Sequence, residues 1–167
     1  IQFELVYAST EDPTNFDFDT VQSVLRGVEK KDIRRLALSP DPTNAFATVR
    51  CIVNDFVGNV TEEFYDARHR LLRQFEFTGR ANPAEPTTDT LNRPVNPLRP
   101  DDPPFFETRW EWNNDSLCSA VHRPQTNRVE WVYQSDFDPN TPPRHRSNLR
   151  VERRVANGDF DGDSRPD

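Results

Sequence analysis

Apolar and polar residues alternate most regularly in the last third of the chain. In 105–112, Phe106, Trp110 and Trp112 stand against Glu107, Arg109 and Glu111. The same period of two recurs at 117–122 (Leu117, Ser119, Val121) and at 128–134 (Val129, Trp131, Tyr133). It recurs again at 148–155, with Leu149, Val151 and Val155 against Arg150, Glu152 and Arg154. Successive side chains of a strand point to opposite faces, so these runs predict a four-stranded antiparallel meander with one wet face. Asn113-Asn114-Asp115 supplies a turn, and 136–147 a polar loop with three prolines. Two further strands are predicted upstream. Residues 1–8 alternate Phe3, Leu5 and Tyr7 with Gln2 and Glu4, and 45–56 align Ala45, Ala47, Val49, Cys51 and Val53 against Thr48 and Arg50.

Two segments carry helical spacing instead. From Asp17, apolar residues fall at Phe18, Val21, Leu25 and Val28, with Val24 between, and the pattern extends through Ile33 to Leu38 before Ser39-Pro40. The second segment starts at Asn59, an N-cap with Glu62 three residues on, as in a capping box. Its stripe is Phe64, Leu71, Leu72 and Phe75, and Gly79 is placed to end it. Residues 81–104 hold seven prolines and no apolar period. Such a length without structure suits an extended arm, a surface loop or a linker. The expected fold is α+β: one or two helices on an antiparallel meander, interrupted by a proline-rich excursion. Residues 1–156 form one domain in this reading, and 157–167 an acidic loop or tail.

Composition narrows the function classes. The 167 residues are 34% hydrophobic and include 15 prolines against 5 glycines. Mean hydropathy is −0.88. This describes a small core with long polar segments rather than a core-rich enzyme. A net charge of −7 argues against nucleic acid as a partner, which calls for a basic field. No apolar run approaches the ~20 residues of a membrane span. The chain opens at Ile1 and contains no Met, so a processed product or fragment is expected, with no signal peptide in the sequence given. Cys51 and Cys118 are compatible with one disulfide joining two strands or with two buried thiols. Asn59-Val60-Thr61 and Asn114-Asp115-Ser116 are glycosylation acceptors if the protein is exported.

Charge is also unevenly spread. Arg144, Arg146, Arg150, Arg153 and Arg154 form a basic stretch suited to an acidic partner surface or glycan. It abuts an acidic end, where carboxylates recur at Asp159, Asp161, Asp163 and Asp167. Calcium takes six to eight hard oxygen ligands, and alternate residues of a tight loop can turn theirs inward, with the carbonyl of Arg165 adding one. The run Gly158-Asp159-Phe160-Asp161-Gly162-Asp163-Ser164-Arg165-Pro166-Asp167 resembles the calcium loops of FG-GAP-type propeller repeats, dockerins and thrombospondin type 3 repeats. Ser164 stands where the FG-GAP pattern has glycine. The resemblance covers about ten residues, and it implies Asp159, Asp161, Asp163 and Asp167 as ligands of Ca2+.

No catalytic motif is present. His69 and His145 each lie between two arginines, and zinc spacings, nucleophile elbows and glycine-rich phosphate loops are missing. The expectation is therefore a non-enzymatic, extracellular or cell-surface structural or adhesion subunit. It would be stabilised by calcium and assemble with identical or related subunits into a filament or surface layer. The order of elements resembles a pilin-like head. A second class is a carbohydrate-binding module, or a glycan-acting enzyme, using Trp110, Trp112, Trp131 and Tyr133 as a sugar-stacking platform. A third is a virion structural protein.

Overall fold

A computed structural model describes residues 3–8, 10–82, 85, 93–125 and 127–156. It divides into two compact units, Ile1–Phe106 and Glu107–Asp167. The first unit carries β1 (Phe3–Tyr7), β2 (Val21–Arg26), β3 (Glu29–Ala37), β4 (Val49–Asn54), β5 (Val60–Tyr65) and β6 (Leu71–Phe77). Each pairs antiparallel with its neighbour in sequence. The second unit is built from β7 (Phe105–Trp112, entering from the first unit), β8 (Cys118–His122), β9 (Arg128–Tyr133) and β10 (Leu149–Val155), again a sequential antiparallel meander.

The α+β expectation is overturned. Among the described residues the α-helix content is a four-residue turn, α1 (Gln134–Phe137). The segment expected as the first helix is the β2–β3 hairpin. Arg26 pairs with Glu29 around a two-residue turn, Gly27-Val28. Gly27 has φ +63° at the first central position, which a II′-type turn requires. Val28, expected on the buried stripe, is fully exposed at the turn tip. The second helical segment is the β5–β6 hairpin. Its turn is organised by Asp66, whose carboxylate accepts from the backbone amides of Arg68 (2.8 Å) and Arg70 (2.9 Å). Burial alone would raise the Asp66 pKa, but these bonds and the Arg70 guanidinium outweigh it and hold the carboxyl below its usual range. Glu62 does not cap a helix; it lies buried within β5.

Val21, Val24, Val60 and Thr61 explain the preference for strands. β-Branched side chains suit a pleated surface better than a helix. Spacing at three and four coexists in both segments with alternation, and pairing partners select the alternation. Gly27 also yields a test. Its added Cβ would meet nothing within 4 Å, so Gly27→Ala carries only the cost of positive φ. A loss of about 1–2 kcal/mol in urea unfolding is expected.

The core of the first unit lies on one face of β2–β6, and the register defines three cross-strand rows. Ser23, Asp32, Asn54 and Val60 form one; Arg34, Ile52, Glu62 and Phe75 the next; Leu36, Arg50, Phe64 and Arg73 the third. From Arg50 onward this is the face opposite to the one expected for β4, while Ala47 and Val49 of the expected stripe are buried. Ile52 and Asn54 are fully buried while Cys51 and Val53 are half-buried. Positive φ at Ala45 and Phe46 (57° and 62°) breaks the alternation upstream of β4. Aromatic packing extends the face: Phe75 sits 5.5 Å from Phe64 and 4.6 Å from Phe105, centroid to centroid.

Two arginines enter this face to meet Glu62. Arg50 Nη2 lies 2.6 Å from Glu62 Oε2, and Arg93 Nη1 2.7 Å from Oε1. Arg93 opens the stretch 93–104, which folds back as a strap on its own unit rather than leaving as a free arm. Leu98 N donates to Thr78 O (3.2 Å), Thr78 N to Pro104 O (3.1 Å), and Thr78 Oγ1 to Pro103 O (2.5 Å). Gly79, expected to stop a helix, instead admits the strap. A Cβ there would overlap the Asn96 carbonyl oxygen and stand 2.7 Å from Pro94 Cβ.

Candidate functional site

Two surfaces, one in each unit, combine exposure with usable chemistry. The first is β1. Among the described residues it pairs only with β2, so its other edge presents unpaired backbone groups. All five of its residues are exposed. Phe3 (58%), Leu5 (50%) and Tyr7 (49%) share one side, and Val6 (36%) is on the other. Charge is the common means by which proteins protect a sheet edge. In β1 it is limited to Glu4. β10, in the second unit, differs: Arg150, Glu152, Arg153 and Arg154 punctuate it.

The second surface is an open groove of about 660 Å³ in the second unit. The register places Trp110 beside Val121, Val121 beside Val129, and Trp131 beside Glu152 on one face. Val121, Val129 and Trp131 line the groove, with Arg123, Asn127, Arg128, Glu152 and Arg154 around them. Trp131 Nε1 donates to Glu152 Oε2 at 3.3 Å, and Glu152 Oε1 accepts from Arg154 Nε at 3.1 Å. Arg128 Nε donates to Glu130 Oε1 at 2.7 Å. Arg123 and Asn127 flank a turn and were not legible as site residues. The one sequence signal for them is their position immediately after β8 and before β9.

The remaining candidates separate. Asp159, Asp161, Asp163, Arg165 and Asp167 lie outside the described residues. Of the basic stretch, Arg146 is internal: it pairs with Asp115 (2.8 Å) and donates to the Pro139 carbonyl (2.9 Å). The Arg146 bond, with one from Ser135, lowers the Asp115 pKa. Arg153 pairs with Glu130 (3.2 Å), Arg144 Nε donates to His145 Nε2 (3.1 Å), and Arg150 is exposed on β10. Arg146 is thus engaged within its unit, while Arg144, Arg150, Arg153 and Arg154 are exposed. Cys51 in β4 and Cys118 in β8 are free thiols, one in each unit. Burial pushes Cys51 up to about 11, Glu63 adding to it, and burial likewise raises Cys118, so both shifts favour the protonated thiol.

Asn59 uses its amide nitrogen in a bond to Asp55 Oδ2 (2.6 Å), whereas Asn114 is exposed at the β7–β8 turn. Trp112 and Tyr133 are half-buried, and Tyr133 Oη donates to the Cys118 carbonyl (2.9 Å). The Glu107 carboxylate is held by both Nε (2.7 Å) and Nη2 (2.9 Å) of Arg109, and Glu111 by His122 (2.8 Å). No helix among the described residues is long and apolar enough to cross a membrane.

Against known proteins, no family model, curated protein or solved structure matches this chain.

Proposed function

We propose that the chain is a non-catalytic structural or adhesion subunit that assembles with copies of itself, or with related subunits, by adding strands at β1. One observation carries the reading: a sheet edge that is apolar on one side, exposed on both and protected by one charge. Strand addition satisfies the edge's backbone groups and buries Phe3, Leu5 and Tyr7 in the same step. The extracellular setting and a calcium-binding role for Asp159, Asp161, Asp163 and Asp167 belong to the same proposal.

The test is oligomeric state by analytical ultracentrifugation over a concentration series, with and without calcium. The natural chain is expected to associate as concentration rises. The Leu5→Lys, Tyr7→Lys double variant is expected to stay monomeric with its melting temperature unchanged. Val95→Lys, at a site 86% exposed and distant in sequence, is expected to behave like the natural chain. Association that survives the double variant would remove β1 as the interface. A monomer at every concentration would remove assembly altogether. An EDTA arm without effect would remove calcium from the proposal while leaving strand addition standing.

A further inference from the structure

We infer that the groove of the second unit is a binding site for an acidic sugar ring, such as a uronate of a polysaccharide. Three chemistries meet there. Trp131 and Val129 supply an apolar lining, and an indole is the best protein partner for the C–H face of a pyranose. Arg123 supplies a carboxylate anchor: it forms no ion pair among the described residues and is exposed at the groove. A guanidinium recognises a carboxylate through two parallel bonds. Asn127 supplies the third. It lines the groove, and its side-chain amide carries two N–H donors. A sugar hydroxyl oxygen accepts from such a donor.

The charge balance agrees. The one carboxylate in the lining, Glu152, is already engaged by Trp131 Nε1 and Arg154 Nε. Its bond to the indole fixes the ring in the groove, and its charge is offset by Arg154. The anion then meets Arg123, with Arg154 second. A short acidic peptide would satisfy the arginines but leave the indole without a flat C–H face against it. That difference favours the sugar. The site lies within the second unit and does not depend on assembly through β1.

The experiment is calorimetric titration of the full chain with galacturonate and hyaluronan tetrasaccharides, the methyl-esterified galacturonate tetrasaccharide, and a tetraglutamate peptide. At least one acidic tetrasaccharide is expected to bind. Its neutral ester and the peptide are expected to bind at least tenfold more weakly. Arg123→Ala is expected to weaken the acidic sugar at least tenfold, and Asn127→Ala severalfold. Trp131→Phe is expected to abolish the ligand-induced change in tryptophan fluorescence while retaining partial affinity. Arg123 is exposed, so its variant folds and keeps the test decisive even if a Trp131 variant does not. Binding to neither acidic sugar overturns the inference. So does equal binding of the ester or the peptide, or an Arg123→Ala affinity equal to that of the natural chain.

Discussion

Glu62→Ala is expected to lower the stability of the chain by about 3–5 kcal/mol, the range found when one partner of a buried ion pair is removed. Its side chain is 3% exposed and faces two guanidiniums, Arg50 on one carboxylate oxygen and Arg93 on the other. Alanine would leave both cations on a partly covered face without their anion, and would open a cavity beside Ile52 and Phe75, its cross-strand neighbours. Against the 5–15 kcal/mol typical of a domain, this is a large share. Glu62→Gln keeps the volume and an acceptor, so a smaller loss is expected. Urea unfolding of the two variants beside the natural chain measures the difference. If alanine and glutamine cost the same, the charge is not what matters. If neither costs more than about 1 kcal/mol, the net worth of a simple hydrogen bond, the triad is not holding the sheet.

Gly79→Ala is the second variant with a large expected effect, and it acts through space rather than dihedral angle. Gly79 does not have positive φ; what it provides is room, because the backbone of the strap passes where a Cβ would be. Either β6's end or residues 94–96 must move, and the bonds that join Thr78 to Leu98, Pro103 and Pro104 are at risk. Overpacking of this kind costs about 1–3 kcal/mol, and contact with backbone rather than a flexible side chain puts Gly79→Ala at the upper end. Limited proteolysis reads the strap directly. Cleavage within 93–104 is expected to accelerate in Gly79→Ala and to stay unchanged in Gly27→Ala, where the added methyl meets open space. Equal cleavage in the two would mean that the strap is not held at Gly79.

Strand alternation was legible wherever it was the only pattern present. β1, β4 and the four strands of the second unit fall where Phe3-x-Leu5-x-Tyr7, Val49 to Val53 and the runs from Phe106 to Val155 place them. It failed where two periods overlap. Val21, Leu25 and Val28 are spaced as a helix stripe, yet Val21, Ser23 and Leu25 also alternate, and a two-residue turn at Gly27 decided between them. In β5, Val60, Glu62 and Phe64 alternate strictly, but a charged residue at the centre of that triplet hides the buried face. Its partner Arg93 lies thirty-one positions away, beyond any local signal. Trp131, the aromatic residue of the groove lining, was visible as a candidate. Arg123 and Asn127 were not, since only the pairing of β8 with β9 brings them beside Trp131.

By itself the sequence determined the strand-rich last third, the scarcity of core residues, the net negative charge and the acidic run at 157–167. These are local or additive properties, and periodicity and composition report them without knowledge of partners. The tertiary structure decided which period β2–β3 and β5–β6 adopt, which face the end of β4 turns to the core, and what residues 93–104 of the proline-rich stretch do. Each depends on a contact between distant residues: a hairpin partner, Arg50 and Arg93 on Glu62, the strap against Gly79. Pairing fixes the register, and register selects the face, because a strand alternates with a period of two.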